Sequence, residues 1–354
     1  MMRVMIMAGG TGGHVFPALA VAAELRERGA EVFWLGTRQG LEAKVVPAAG
    51  IGMEWLAVSG LRGKGWTAWL LAPARLLWAS LQVLAVMLRR RPVVVLGMGG
   101  FVTGPGGVVT WLLRKPLVIH EQNAIAGLTN RLLAPLAQRV LEAFPGTFHG
   151  KHVTHTGNPV RRAIAALPVP EERFKGRGGV LRLLVLGGSL GARALNEVVP
   201  VALAQLPSRP EVWHQAGSRN LEETLEHYRA AAVTARVEPF IDDMAVAYGW
   251  ADLVVCRAGA LTVAELAAAG VGAILVPYPH AVDDHQTRNA AYLSDAGAAV
   301  VVQQREFTPD RLCELLATLV ERSHLLTMAR AARDLAQPEA AATVAALCWE
   351  AAHG

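Results

Sequence analysis

Short runs of continuous apolar residues recur along the chain, each closed by glycine and followed by residues with helical spacing. The first run is Arg3 to Met7. Gly9 to Gly13 follow it, then Leu19, Ala22 and Leu25 mark one helical face that Gly29 ends. "AEVFWLG" (Ala30 to Gly36) predicts a second strand, "PVVVLGMGG" (Pro92 to Gly100) opens another unit, and "PLVIHEQN" (Pro116 to Asn123) a further one. Runs that are apolar at every position, rather than at alternate ones, suit strands buried on both faces, so they predict parallel sheets covered by helices. The pattern restarts near Gly178. "LRLLVLGGSLGARALNEVVPVALAQL" (Leu181 to Leu206) repeats strand, glycine loop and helix. "ADLVVCRAGALTVAELAAAGVGAILVPYPH" (Ala251 to His280) repeats the element order of Pro92 to Asn123. The chain therefore predicts two doubly wound α/β halves, joined around Thr156 to Gly179, where proline, glycine and charge accumulate. Its last stretch, "PEAAATVAALCWEAAHG", predicts a helix with no strand after it.

Composition supports that division. The 354 residues are long for one core, which favours two domains. Hydrophobic content of 53% with 18% charge excludes a disordered chain. A net charge of +5 and a pI near 9.4 favour anionic partners. The three cysteines, Cys256, Cys313 and Cys348, have neither disulfide-framework nor zinc spacing, and fit a reducing cytosol. The N-terminus runs straight into a strand without a signal-peptide pattern. Within Gly60 to Pro92, the stretch Trp66 to Leu88 approaches the roughly 20 apolar residues of a membrane span. Pro73 and Arg75 near its middle argue against spanning. Two readings stay open there. One is an ordinary core helix. The other is a monotopic contact, with Trp66, Trp69, Leu70 and Trp78 in lipid and Arg62, Lys64, Arg75 and Arg89 to Arg91 toward anionic headgroups. Each such cation is worth about 1 kcal/mol.

Three loops share one chemistry. Gly9 to Gly13, Gly97 to Gly107 and Gly187 to Gly191 each lead from a strand into a helix, whose exposed N–H groups and positive end bind phosphate. Their recurrence on two similar halves points to diphosphate handled in more than one place. A dinucleotide fingerprint is incomplete, because Val15 stands where the third glycine belongs and the second strand ends in Gly36-Thr37-Arg38 without an acid. Arg38 could meet a 2′-phosphate, which keeps NADP binding as an alternative. A P-loop is absent from the sequence. Glu265, one turn into the helix after Arg257, suits either a ribose diol or a helix-end charge. His280, Asp283, Asp284, His285 and Gln286 cluster after a strand, yet lack metal-ligand spacing and read as solvated loop polarity. His14, between loop glycines and Pro17, carries an imidazole, the side chain that most often serves as a general base, and suits that role, a binding group or a loop brace. His120, Glu121, Gln122 and Asn123 end a strand on the ligand side of such a sheet. Among them Asn123 is the best partner for a sugar hydroxyl or amide.

The segments "AGGTGGHVFPALAVA", "WLGT", "SGLRGKG", "VLGMGGFVTGPGG", "HEQNAIAGLTNRLLA", "AFPG", "GNPVR", "GGSLGARALN", "FIDDMA", "CRAGALTVAELAAAG" and "LLTMARAAR" occur in the order in which the MurG family carries them. The chain resembles that family of N-acetylglucosaminyltransferases over nearly its whole length. The resemblance implies a GT-B fold, two Rossmann-like doubly wound domains facing across a cleft. It assigns residues 1–160 to an acceptor- and membrane-facing domain, 161–335 to a UDP-sugar domain, and 336–354 to a helix that packs back on the first. It implies inverting transfer from UDP-N-acetylglucosamine to the 4-hydroxyl of undecaprenyl-diphospho-muramoyl-pentapeptide (lipid I), giving lipid II for peptidoglycan, at the cytoplasmic face of the cell membrane. By motif, the donor residues would be Thr11, Gly12, Gly13, Asn123, Arg161, Ser189, Ile241, Ala260, Leu261, Thr262, Val263, Ala264, Glu265 and Gln286. Acceptor residues would be Gly99, Gly100, Gly104 and Glu121, with Gly12 and Gly13 sharing its diphosphate, and His14 would be the catalytic base. No cofactor or essential metal and no nucleic acid are expected. An anionic membrane surface is an expected partner, and cell-wall or division proteins remain open as others.

Two positions depart from the family's pattern: Leu190 replaces a glutamine and Ala258 a serine. The spacing near Gln286 leaves His285 as its alternative. Other functions on the same scaffold are a UDP-N-acetylglucosamine 2-epimerase, an NADP oxidoreductase and a membrane-bound scaffold without chemistry.

Overall fold

The computed structural model describes residues 2–57, 72–188, 191–319 and 321–354. Two units emerge, Met1–Arg161 with Pro338–Gly354, and Arg162–Gln337. Ser189, Leu190 and the proposed lipid-facing Trp66, Trp69 and Leu70, with Arg62 and Lys64, lie outside the described residues.

The first unit is built on seven parallel strands: β1 (Arg3–Met7), β2 (Glu31–Thr37), β3 (Gly52–Leu56), β4 (Val94–Gly97), β5 (Leu117–Glu121), β6 (Arg139–Glu142) and β7 (Val153–His155). Their order in the sheet is β3-β2-β1-β4-β5-β6-β7. Successive residues of β1 serve opposite faces, as strand geometry demands. Val4 and Ile6 enter one core with Val15, Ala18, Val21, Ala22 and Leu25 of the Gly12–Glu27 helix. Met5 and Met7 enter the other, with Val83, Val86 and Met87 of the Ala72–Arg90 helix. This two-sided burial is the reason for the unbroken apolar run. Each such Val, Leu or Met side chain contributes about 1.5–3 kcal/mol on burial. The Ala340–His353 helix completes the first core with Val344, Ala345, Cys348 and Ala351. Arg28 donates to the Ala342 carbonyl and Arg139 to Glu350, fastening that helix at two points.

The second unit repeats the plan with six parallel strands: β8 (Arg182–Leu186), β9 (Glu211–Gln215), β10 (Arg236–Glu238), β11 (Leu253–Cys256), β12 (Gly272–Leu275) and β13 (Ala299–Val301). Their order is β10-β9-β8-β11-β12-β13, which matches the first six strands of the other sheet. In both sheets the order reverses after the first strand of the unit, between β1 and β4 and between β8 and β11. Ligands of such sheets bind outside the carboxyl ends of the strands at that switch. The loops leaving β1, β4 and β8 are the three glycine loops.

Candidate active site residues

In the first unit, the loop after β1 closes on a carboxylate that local spacing does not reveal. Glu42, fully buried, accepts from the Gly10 N–H (3.0 Å), the Thr37 N–H (3.1 Å) and the Thr37 hydroxyl (2.9 Å). A Cβ on Gly9 would lie 2.8 Å from its Oε1, and one on Gly36 2.9 Å from its Cγ, so the bare backbone there is the room this side chain needs. Thr11 then caps the Gly12–Glu27 helix in extended conformation, with the His14 and Val15 N–H groups on its carbonyl. Gly12 and Gly13 form the positive first turn.

The loop after β4 meets the same place. Gly99 has φ of +102°, and a Cβ on it would lie 2.8 Å from His14 Nδ1. Gly100 follows at φ of +86°, and Gly104 lies in the first turn of the Thr103–Leu112 helix. Thr103 ties this loop to β1, donating from its hydroxyl to the Gly99 and Met7 carbonyls. His14 thus stands between two glycine loops, and its Nδ1 lies 2.7 Å from Gln122 Oε1. Gln122 in turn contacts His120, whose Nε2 reaches the Gly157 carbonyl at 3.0 Å.

Glu121 and Asn123 are also brought together. Glu121 is buried, and its carboxylate accepts from the Asn123 N–H and side-chain amide, the Gly127 N–H and Asn130. It therefore shapes the loop that presents Asn123. Arg161 stacks its guanidinium 5.3 Å from the Phe16 ring, which itself packs against Gly12.

In the second unit, the loop after β8 is tied to Ile241 through Gln215. The Gly187 N–H donates to the Gln215 carbonyl, and the Ile241 N–H to the Gln215 side chain at 3.0 Å. Ala260 to Glu265 lie along the Ala260–Ala269 helix, which Gly259 begins and left-handed Gly270 ends. Val263 is buried, whereas Leu261, Thr262 and Ala264 are half-buried. Glu265 is buried too, and Tyr248, fully enclosed in the Met244–Trp250 helix, donates its hydroxyl to Oε2 at 3.2 Å. Tyr248 is a further residue that sequence spacing did not single out. Gln286 accepts from the Tyr278 N–H at 2.9 Å, and Arg257 lies 5.5 Å from the Tyr278 ring centre.

Two buried histidines couple these arrangements to pH. Burial pulls His120 down to about 4, despite the opposing Gly157 hydrogen bond and Glu121 charge. Burial likewise pulls His214 down to about 3. His214 sits between the Tyr228 hydroxyl and Asn196 Oδ1 in the core of the second unit. In unfolded chains both titrate near 6.5, so the unfolded state binds more protons below that pH. Their neutral forms are therefore fully compatible with folding above about pH 6.5, and stability falls as pH drops from there through about 4 and about 3. Between pH 6.5 and 4.5 each unit loses about 2–3 kcal/mol from its own histidine. Urea unfolding at the two pH values, in wild type and His214→Gln, measures this, and a flat profile refutes it.

A second surface lies on three neighbouring helices of the first unit. Ala72–Arg90 turns Ala79, Val83 and Met87 inward, yet leaves Leu77 63% and Trp78 56% exposed, with Leu81 and Leu88 beside them. Trp111 and Leu112 on Thr103–Leu112 are exposed, as are Leu128 and Leu132 on Leu128–Leu133. Arg89 and Arg90 both pair with the buried carboxylate of Glu54, so one of their two charges is balanced within the fold. No helix among the described residues is long and apolar enough to cross a membrane.

Comparison with known proteins places these arrangements in context. The glycosyltransferase family 28 N-terminal domain matches residues 4–142, and the glycosyltransferase family 28 C-terminal domain matches residues 182–344. A protein of Nitrosococcus oceani is 60% identical over 99% of this chain and 99% of its own length. One of Marinobacter nauticus is 58% identical over 99% and 98%. Both bear the name UDP-N-acetylglucosamine–N-acetylmuramyl-(pentapeptide) pyrophosphoryl-undecaprenol N-acetylglucosamine transferase. Among solved structures, MurG of Acinetobacter baumannii superposes with a TM-score of 0.86 at 44% identity, covering 99% of this chain and 100% of that one.

Proposed function

The chain belongs to glycosyltransferase family 28 and, within it, to the MurG family with its GT-B fold, and on that premise we propose that it makes lipid II. N-acetylglucosamine passes from UDP-N-acetylglucosamine to the 4-hydroxyl of the muramoyl sugar of undecaprenyl-diphospho-muramoyl-pentapeptide, with inversion at the anomeric carbon. The observation that carries the reading is the setting of His14, at the head of a helix and between two glycine loops. As the acceptor oxygen attacks the anomeric carbon, the bond to UDP breaks with its electron pair, and the hydroxyl proton passes to His14. A base so placed supplies about 10²–10⁴ in rate.

The remaining residues divide the substrates. Glu265, oriented by Tyr248, takes the ribose, and Ile241 flanks the uracil. Ser189 with the Gly187 loop takes phosphate and Gln286 with Asn123 the sugar, while Thr11 and Arg161 are further donor residues. Gly12, Gly13, Gly99, Gly100 and Gly104 cradle the acceptor diphosphate, and Glu121 holds the loop beside it. The positive helix ends meet the diphosphate charge, so the reaction proceeds without an essential metal. The three-helix apolar face lies on the inner leaflet, where the prenyl tail of the acceptor resides. Cell-wall and division proteins are candidate neighbours there.

The test is a transfer assay with labelled UDP-N-acetylglucosamine and a short-chain lipid I analogue, with EDTA present. Label in the lipid product supports the reading, and dependence on added metal would overturn its metal-free part. Epimerised donor without transfer would instead support the 2-epimerase reading, which has only the shared scaffold behind it. The membrane part has its own measure. Leu77→Ser with Trp78→Ser lowers binding to anionic vesicles by about 10–100-fold, from lost apolar burial. Turnover of the soluble analogue stays within about twofold, because neither residue belongs to the reacting site. Unchanged vesicle binding refutes this placement.

A further inference from the structure

The chain His14–Gln122–His120–Gly157 admits one order of donors and acceptors. The Gly157 carbonyl only accepts, so the His120 nitrogen 3.0 Å from it, Nε2, carries the proton. Gln122 Nε2 lies 3.0 Å from the His120 carbonyl, which also only accepts, so the amide nitrogen faces His120. The same NH2 group lies 2.9 Å from His120 Nδ1, which is thereby the unprotonated, accepting nitrogen. The amide oxygen is then turned to His14, 2.7 Å from Nδ1. That oxygen cannot donate, so His14 Nδ1 carries the proton and Nε2 keeps its lone pair.

We infer that Gln122 and His120, anchored on the Gly157 carbonyl, are positioning residues that hold His14 in the Nδ1-protonated tautomer and present Nε2 as the basic nitrogen. This deepens the proposed function and rests on His14 being its base. A carboxylate performs the same orienting role in serine-protease triads, where the wrong tautomer costs orders of magnitude in rate. Here the orienting group is a neutral amide, which fixes the ring without adding charge. When Nε2 takes the acceptor proton, the imidazolium keeps its Nδ1–H on the amide oxygen. The order of the chain requires neutral His120, and its burial keeps it so at neutral pH. Glu121 and His155 are the charged and titratable groups that bear on it, with opposite sign.

Long-range ¹H–¹⁵N correlation spectra of histidine-labelled protein at neutral pH test the tautomers directly. The expected spectrum has the proton of His14 on Nδ1 and that of His120 on Nε2, assigned by the signals lost in His14→Ala and His120→Asn. A proton on His14 Nε2 in the wild type overturns the proposal, whatever any variant does to rate. Kinetics with the short-chain lipid I analogue give the second measure. Gln122→Leu lowers kcat by about 10²-fold with KM for both substrates little changed. His120→Asn offers an oxygen near the old Nδ1 position and retains most of the kcat that His120→Leu loses. Full kcat in Gln122→Leu overturns the positioning role while leaving His14 as base. Full kcat in His14→Ala overturns both, so the two failures are distinguishable.

Discussion

Replacing His14 with alanine lowers kcat for sugar transfer by about 10²–10⁴-fold, while donor affinity measured by calorimetry stays within about twofold. The expectation follows from what the ring touches. Its Nδ1 is engaged with Gln122 and its face lies against Gly99, so the imidazole is fixed within the loop pair. The helix behind it is anchored by Val15, Ala18 and Leu25 in the core, none of which the substitution disturbs. The loss therefore falls on the chemical step rather than on folding or on nucleotide binding. Full kcat in the variant would remove His14 from the mechanism and leave it a brace for the loop.

Among substitutions, the largest expected effect on stability belongs to Glu42. Glu42→Ala takes the buried carboxylate away from the Gly10 N–H, the Thr37 N–H and the Thr37 hydroxyl, which sit on exposed and half-buried residues. The donors can turn to water, so each lost bond costs only the net worth of an ordinary hydrogen bond, about 0.5–1.5 kcal/mol, and about 2 kcal/mol in all. The thermal midpoint of the first unit falls by roughly 6 °C. Glu42→Gln restores an acceptor to Thr37 but sets an NH2 group against the Gly10 N–H, so it recovers about half of the loss. Calorimetry of the two variants decides the matter. A midpoint within 2 °C of wild type in Glu42→Ala, roughly the shift of a 1 kcal/mol loss, would mean that the loop holds its shape without the carboxylate.

The strands were legible because parallel strands buried on both faces leave a mark that needs no partner to be seen. Val94 to Leu96 and Leu253 to Cys256 are apolar at every position for that reason. Glycine loops were legible for the same reason, since they directly follow the strands they leave. Neither feature depends on distant sequence. Glu42, in contrast, lies 32 residues from Gly10 in a stretch that reads as an ordinary polar turn. Gln122 lies 108 residues from His14, so the order of donors between them is a property of the fold alone. Arg89 and Arg90 looked like free membrane-facing cations, and only the pairing of β2 with β3 and the packing of the next helix bring Glu54 to them. Glu121 was assigned to the acceptor by resemblance, and its bonds to Gly127 and Asn130 show a loop-shaping carboxylate that no spacing rule contains.

The Ala340–His353 helix has a consequence for the order in which the protein is made. Ala342, which receives Arg28, follows it by 314 residues. At about 5–20 residues per second of synthesis, that gap is roughly 15 to 60 s. Throughout it, the ribosome has delivered Val15, Ala18, Ala22 and Leu25 without the Val344, Ala345 and Cys348 that close over them. The stretch Arg162–Gln337 is continuous in sequence and has all of its residues before the Ala340–His353 helix is made. The half of the chain that starts first is thus finished second, and its open flank is the nascent surface that a chaperone would meet.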